Sequence, residues 1–495
     1  MSRNYLSFDL GASSGRAIIG TLDSGRLTLR EVHRFANGPV KHGHAFYWDY
    51  PQLVEELKSG LRKALAVEPQ LDGIAVDTWG VDYVFFRSGH QVRLPYNYRD
   101  ERTLRHEKRV FDAVPREEIY RRTGIQHMAI NTLFQLVAHY REFPEDFEDS
   151  RFLMMPDALE FALGGNFTTE YTIASTSNLL NLETREWDWE LIDRLGLPRG
   201  VFPPIAPACS RGGTLSAELQ RELGCGAIPI LKVGSHDTAS AVAAVPAIPG
   251  TDWAYVSCGT WALLGAEIQQ GIATPESEKV PFTNEGGLNG TIRFLTNIMG
   301  CWLLQECRRN WREAGDDISF NDMCDLARVA EPGKYLLNPN AALFVAPGDM
   351  PGRIAEFCRD SGQGELSDRG ALIRAIYDSL ALCFADKLEA LGQLLGKNYQ
   401  ALNIVGGGTK DDFLMQMAAD AAGIPVVAGP VEATAAGNLL GQALTLGDLA
   451  DLAELRQVVA NSFGVVTYRP DPAASARLRS LLPDFRRLCA IGKRQ

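Results

Sequence analysis

A strand that runs into a turn of small residues and comes back as a second strand occurs twice in this chain, at its start and again just past its middle. Residues 5–10 alternate like a strand and lead into Gly11-Ala12-Ser13-Ser14-Gly15; residues 16–22 read as the returning strand. Asp23-Ser24-Gly25 is a tight turn signal, and residues 27–35 alternate as a third strand. After Pro51, apolar residues recur at helical spacing (Leu53, Val54, Leu57, Leu61, Leu65), followed by a short apolar strand at 73–77. The pattern restarts with a strand at 253–257, the turn Cys258-Gly259-Thr260 and a return at 261–266. Further on, a strand at 401–405 ends in Gly406-Gly407-Gly408, with a helix at 411–422, a strand at 425–428 and a helix at 433–446 behind it. Residues 370–395 carry a long amphipathic helical pattern.

The segment Val245-Pro246-Ala247-Ile248-Pro249-Gly250 has the composition of a connector and splits the 495 residues into near-equal halves. At about 100–200 residues a domain, that length suits two large domains or three small ones. Two α/β domains flanking a cleft, 1–247 and 248–490, are the expectation, because small ligands bind in clefts between domains. The composition is that of a globular protein, with 45% hydrophobic and 22% charged residues. Against 61 Asp and Glu stand 49 Lys and Arg, a net charge of −12 without a long basic run, which disfavours nucleic acid as a partner. The most apolar region, 238–266, is broken by Pro246, Pro249, Gly250 and Asp252, so no membrane span is expected. Asp9 interrupts the N-terminal apolar run, which argues against a secretory signal. The nine cysteines are scattered with no CxxC pair, the pattern of reduced thiols in a cytoplasm.

Several strand ends carry chemistry-bearing residues. Small residues in 11–15 let backbone N–H groups approach phosphate oxygens, the Ser hydroxyls add donors, and Asp9 could hold Mg²⁺ through water. The same design, or an ordinary turn, would account for the Cys258-Gly259-Thr260 turn and for the three glycines at 406–408. Neither GxxxxGK[ST] nor a GxGxxG after the first strand is present, which excludes a Walker-type loop and disfavours a dinucleotide fold. Gly234-Ser235-His236-Asp237-Thr238 follows an apolar strand at 228–233 and precedes an Ala-rich helical run at 239–245. Asp237 there reads either as an N-cap or as a general base at the mouth of a cleft. Val76-Asp77-Thr78-Trp79-Gly80-Val81-Asp82 is a further polar strand end, whose Trp suits a sugar face or a packing corner. Asn297, Trp302 and Gln305 are read as lying on a helix, expected over 298–309.

The series DLGASSGR, DTWGVD, GSHDTASAV, SCGTWALLG, NEGG, NIMGCWLLQ, VGGGTK and GPVEATAAGN runs in one order from residue 9 to residue 438. Taken together it resembles the FGGY carbohydrate kinases of the actin/hexokinase/Hsp70 ATPase superfamily, although the tetrapeptide FGGY itself is absent. The resemblance implies two ribonuclease-H-like, actin-like ATPase domains, with sugar binding in the first and nucleotide binding in the second. It implies ATP and Mg²⁺ as cofactors and transfer of the γ-phosphoryl group to the C1 hydroxyl of a sugar, L-rhamnulose. Ala12, Ser13, Ser14, Gly15 and Arg16 then match a first phosphate-binding hairpin, Thr260 a second phosphate loop, and Gln305 and Gly407 nucleotide contacts. Asp237 matches the proton acceptor; Gly80, His236, Asp237, Thr238 and Asn297 match positions that hold the sugar; Asp9 matches the residue that holds the metal through water. Thr409, Ala418 and Ala422 stand where some members carry cysteines, so no disulfide is implied there. The implied protein is a cytoplasmic monomer or weak homodimer with no nucleic-acid or membrane partner. The alternatives are a kinase for another ketose or polyol, of the fuculokinase or autoinducer-2 kinase type, and an actin- or Hsp70-like ATPase with a protein partner.

Overall fold

The first strand, Arg3–Leu10, is flanked on one side by its own hairpin partner and on the other by the strand that follows the first long helix. In the computed structural model, which describes residues 2–247 and 250–491, it pairs antiparallel with Ser14–Asp23 and parallel with Gly73–Thr78. The full sheet runs Ser210–Thr214, Pro229–Lys232, Gly73–Thr78, Arg3–Leu10, Ser14–Asp23, Arg26–Ala36. Its three middle parallel strands, Pro229–Lys232, Gly73–Thr78 and Arg3–Leu10, end on the same edge. Asp9 and Asp77 are direct partners there, and Thr78 bridges His236.

The helix Tyr50–Val67 covers one face of this sheet. Asp49 caps it by accepting from the Gln52 N–H at 3.1 Å, and Pro51 fits its first turn. Leu53, Leu57, Leu61 and Ala64 are buried against Leu6, Phe8 and Leu10. Each such Leu contributes about 1.5–3 kcal/mol by leaving water. Gly60 sits among them because a Cβ there would lie 2.8 Å from the Phe8 ring, so strand and helix approach more closely than any side chain would allow.

The chain folds into two units that are not consecutive in sequence. One comprises Met1–Pro246, Glu267–Leu295 and Ala433–Phe463, and the other Ala247–Ala266, Thr296–Glu432 and Gly464–Gln495. The expected boundary at 247/248 touches Ile248 and Pro249, which lie outside the described residues. The late segment joins the first unit because helix Ala433–Leu446 packs on Arg3–Leu10, Gly73–Thr78 and helix Asp237–Ala243. At that helix crossing Gly437 stands directly against the Ser240 carbonyl.

The second unit repeats the sheet plan of the first. Ala254–Cys258 pairs antiparallel with Ala262–Ile268 and parallel with Leu402–Val405, which is followed by parallel Val426–Ala428 and antiparallel Val466–Tyr468. The helix Arg369–Leu395 forms its core, capped by Asp368 at one end and by left-handed Gly396 at the other. No helix among the described residues is long and apolar enough to cross a membrane.

Candidate active site

In the first unit the residues marked out by sequence collect at the common edge of the parallel strands. Asp9 and Arg16 are partners across the first hairpin, and the Arg16 guanidinium donates to the Asp9 carboxylate at 2.5 Å. The turn between them is fixed by backbone and side chain together. Gly11 N–H donates to the Ser14 carbonyl at 2.9 Å, and the Asn37 amide donates to the Gly11 carbonyl at 2.8 Å. Gly15 has no room for a Cβ, because Phe35 stacks over it. Ala12 and Ser14 are half-buried and Ser13 is exposed, so the tip of the hairpin is open to a ligand.

Asp77, next to Asp9, is completely buried. Its Oδ2 accepts from the Asn438 amide at 2.6 Å, while its Oδ1 is buried without a hydrogen-bond partner. Burial, and next the Asp9 carboxylate, push the Asp77 carboxyl well above the ordinary range; Asp237 adds to the effect. Sequence reading did not single Asp77 out as a site residue. The signal was a carboxylate closing an apolar strand, in the same position as Asp9 on its own strand.

Asp237 is the first residue of helix Asp237–Ala243, and the cap position belongs to His236, which makes no side-chain cap. The N-cap reading of Asp237 is therefore replaced by a carboxylate that caps nothing. Its Oδ1 accepts the Thr238 hydroxyl at 2.9 Å and lies 3.4 Å from His236 Nε2, with 31% of the side chain exposed. The turn before it is held from behind. Glu170 accepts from the Ser235 N–H at 3.2 Å and from the Thr172 hydroxyl at 2.5 Å, and the Thr172 oxygen accepts from the His236 N–H at 3.2 Å. Burial pushes the Glu170 carboxyl up to about 7.

His236 also faces a buried ion pair that sequence reading missed. Glu285 and Arg293 are cross-strand partners on the hairpin Thr283–Gly286/Ile292–Ile298, 3.1 Å apart, and Arg293 has no exposed surface. Burial works to raise the Glu285 carboxyl, but Arg293 and His236 outweigh it and hold it below its ordinary value. The signal in the sequence was an arginine inside an otherwise apolar strand.

Gly80 lies in a strained turn. The next residue, Val81, adopts φ 72°, a region that β-branched residues avoid. The turn is held by the Thr176 hydroxyl, which accepts the Val81 N–H at 3.1 Å, and by Thr132, which donates to the Val81 carbonyl at 2.7 Å. Trp79 turns inward. It packs on Trp48 with ring centroids 4.0 Å apart, and both indoles donate to Asp82. Of the two readings of that tryptophan, the packing corner is the one observed.

In the second unit, Thr260 donates to the Gln305 amide oxygen at 3.1 Å. The Cys301 and Trp302 N–H groups donate to the Gly259 and Thr260 carbonyls, which fixes the 258–261 turn on the start of helix Trp302–Glu313. Asn297 is on the strand Ile292–Ile298, not on the expected 298–309 helix; the helix begins later, at Trp302. Strand and helix are separated by the turn around Gly300, where an added Cβ would lie 2.8 Å from the Ala262 N. Of the triple glycine, Gly406 adopts φ 93° and Gly408 lies against the Cys258 Sγ. At Gly407 an added Cβ meets no atom within 4 Å, so its bare backbone is open for approach.

Among the described residues, no group of three or more His, Cys, Asp or Glu could hold a metal ion by itself. Mg²⁺ does not ask for one. It keeps several waters and takes one or two carboxylates plus substrate phosphates, and Asp9 beside the buried, unpartnered Asp77 Oδ1 fits that need.

Residues 4–244 match the N-terminal domain of the FGGY family of carbohydrate kinases, and residues 254–446 match its C-terminal domain. The chain is 43% identical over 477 residues to a rhamnulokinase of Bacteroides thetaiotaomicron, covering 96% of this chain and 97% of that protein. It is 40% identical over 474 residues to a rhamnulokinase of Pectobacterium atrosepticum, covering 94% and 93%. The fold is similar to that of a gluconate kinase from Lactobacillus acidophilus, with TM-score 0.81 at 17% identity over 99% and 98% of the two chains.

Proposed function

This chain belongs to the FGGY family of carbohydrate kinases, and from that premise we propose that it phosphorylates L-rhamnulose at the C1 hydroxyl, giving L-rhamnulose 1-phosphate and ADP in L-rhamnose breakdown. The observation that carries the reaction is Asp237, a carboxylate on the first residue of a helix that it does not cap, which stays partly open beside His236. The sugar assignment rests on near full-length similarity to the two rhamnulokinases.

Phosphoryl transfer needs a placed nucleophile and neutralisation of charge on the moving group. Asp237 takes the C1 hydroxyl proton as that oxygen attacks the γ-phosphorus, and the leaving group is ADP. Gly80, His236, Thr238 and Asn297 hold the sugar so that C1 faces the phosphate. The N–H groups and hydroxyls of Ala12, Ser13, Ser14 and Gly15, with Arg16, take the phosphates; Thr260, Gln305 and Gly407 hold the nucleotide. Asp9 would hold Mg²⁺ through water, and the ion, when bound, offsets the phosphate charge. In this reading residues 1–247 carry the sugar site, the first phosphate hairpin and Asp237, and residues 248–490 carry the nucleotide. The protein works in the cytoplasm as a monomer or weak homodimer.

ADP release with Mg-ATP, measured against L-rhamnulose, L-fuculose, L-xylulose, D-xylulose and glycerol with a no-sugar control, tests this. Preference for L-rhamnulose is expected. Preference for another member would overturn the sugar assignment, and ADP release indifferent to every sugar would overturn the kinase reading.

A further inference from the structure

The proposed reaction uses no sulfur, yet two of the nine free cysteines meet at the turn assigned to the nucleotide. Cys258 ends the strand Ala254–Cys258, and Cys301 stands at the cap position of helix Trp302–Glu313, where it makes no side-chain cap. The Cys301 N–H donates to the Gly259 carbonyl at 3.1 Å and the Trp302 N–H to the Thr260 carbonyl at 3.2 Å, so the start of the helix is laced to the turn. The same lacing brings the side chains together, and the Cys258 and Cys301 thiols are hydrogen-bonded. They differ in access. Cys258 is 1% exposed, with its sulfur seated against Gly408, whereas Cys301 is only half-buried. The hydrogen bond to Cys301, and next burial, hold the Cys258 thiol well above its ordinary range, so it is not the sulfur that meets a reagent first.

We propose that Cys258 and Cys301 form an oxidation site, closed to a disulfide by hydrogen peroxide, that weakens the hold of the second unit on the nucleotide. The Cys301 thiolate attacks one peroxide oxygen; the O–O bond breaks, and hydroxide leaves and takes up the proton the thiol gave up, as water. The Cys258 sulfur then attacks the sulfenic sulfur of Cys301; its own proton goes to the departing hydroxyl, and a second water leaves. The sulfurs lose two electrons and the peroxide gains them, and a dithiol returns them and reopens the pair. Closing the bond draws the two sulfurs from hydrogen-bonding to bonding distance. A strand end and a helix start carry them, so the movement falls on the 258–261 turn, on the 3.1 Å contact of Thr260 with Gln305, and on the backbone of Gly408, which has no side chain to yield. The effect on ATP rests on the proposed nucleotide role of Thr260, Gln305 and Gly407; the disulfide does not.

The test is to treat the reduced full-length chain with hydrogen peroxide, block the remaining thiols by alkylation and map the tryptic peptides by mass spectrometry. Peptide 233–279 linked to peptide 294–308 is expected, with fragmentation placing the bond on Cys301 and not on Cys307, and dithiothreitol should undo it. The closed protein should show an ATP KM raised about tenfold, the weight of one misplaced hydrogen bond, with the sugar KM within about twofold. Cys301→Ser should keep the kinetics of the reduced protein and lose the response to peroxide. Cys258→Ala, at the buried position, is the second variant and should lose the link as well. Treated protein in which both thiols are still alkylated, or a Cys301→Ser variant whose ATP KM still rises with peroxide, would overturn the proposal. A closed pair with an unchanged ATP KM would overturn its control of the nucleotide. Thr260→Val in the reduced protein tells that failure from a failure of the site reading: an ATP KM left unchanged there would sink the nucleotide role of the turn and leave the oxidation site standing.

Discussion

Gly407 stands apart from the glycines beside it because nothing in its own surroundings requires it. Gly406 needs a left-handed backbone and Gly408 lacks room beside Cys258, whereas a Cβ on Gly407 would enter open space. Gly407→Val should therefore fold normally and raise the ATP KM well above any change in the sugar KM; an unchanged ATP KM in steady-state kinetics would remove this loop from the nucleotide site. Asp237→Asn should leave sugar affinity, measured by calorimetry, largely intact while kcat falls by about 10²–10⁴. Asp82 offers a stability test independent of catalysis. Burial pushes its carboxyl up to about 6 from an ordinary 3.8, against the hydrogen bonds from Gln135, Trp48 and Trp79. The folded state thus holds this proton more tightly than the unfolded chain. The contribution is fully present below the unfolded value and is lost as pH rises through about 6. Between acid and neutral pH the parent protein should lose about 1–3 kcal/mol relative to Asp82→Asn, read from paired urea titrations; parallel pH profiles would refute it. The residues legible in the sequence were those whose neighbours are local: the 11–16 turn, the His236-Asp237-Thr238 run, the glycines. Asp77, Glu285 and Arg293 were not legible as site residues, because their partners Asp9, Asn438 and His236 come from distant segments and only strand register brings them together.

Helix Asp237–Ala243 is only seven residues long, too short to hold itself, and its stability has to come from packing. Helix Ala433–Leu446 supplies that packing, and at Gly437 an added Cβ would run into the Ser240 carbonyl oxygen. A backbone carbonyl cannot swing aside as a side chain does. Gly437→Ala should cost about 1–3 kcal/mol by overpacking, seen as a lower urea midpoint. It should lower kcat as well, since the displaced helix begins with Asp237; a variant with full stability would show that the crossing has slack. This dependence was hidden in the sequence, where the 433–446 helix reads as an ordinary apolar segment of the second half. The paired hairpins were legible because small-residue turns and period-two alternation are local signals. The stretch around Asn297 misled for the opposite reason. Ile292–Ile298 is buried at almost every position, so its alternation is lost, and its end reads into the helix that starts at Trp302.

At the scale of the whole chain, the two sheets share one plan, and the proposed roles divide between them in a way that sequence order only partly follows. Residues 433–463 belong to the first unit although they come last but one in the chain, because their apolar faces are completed by Arg3–Leu10 and helix Asp237–Ala243. The even division at 247/248 follows the turn-rich connector, which is a local signal, and so says nothing of a segment that returns later. The functional division can be read by hydrogen exchange, with each ligand added singly. A ligand at about one hundred times its Kd stabilises the bound state by ~2.7 kcal/mol, which slows exchange about a hundredfold where opening releases it. A non-hydrolysable ATP analogue should slow the amides of the 11–16 hairpin, the 258–261 turn and the 405–409 loop. L-rhamnulose should slow those of 80–82 and 235–240, including the turn that Glu170 holds. Protection of 235–240 by the nucleotide alone, or of 405–409 by the sugar alone, would contradict the assignment of these loops. The expected pattern would separate the loops that take phosphates from those that take the sugar, without relying on turnover and with every catalytic side chain in place.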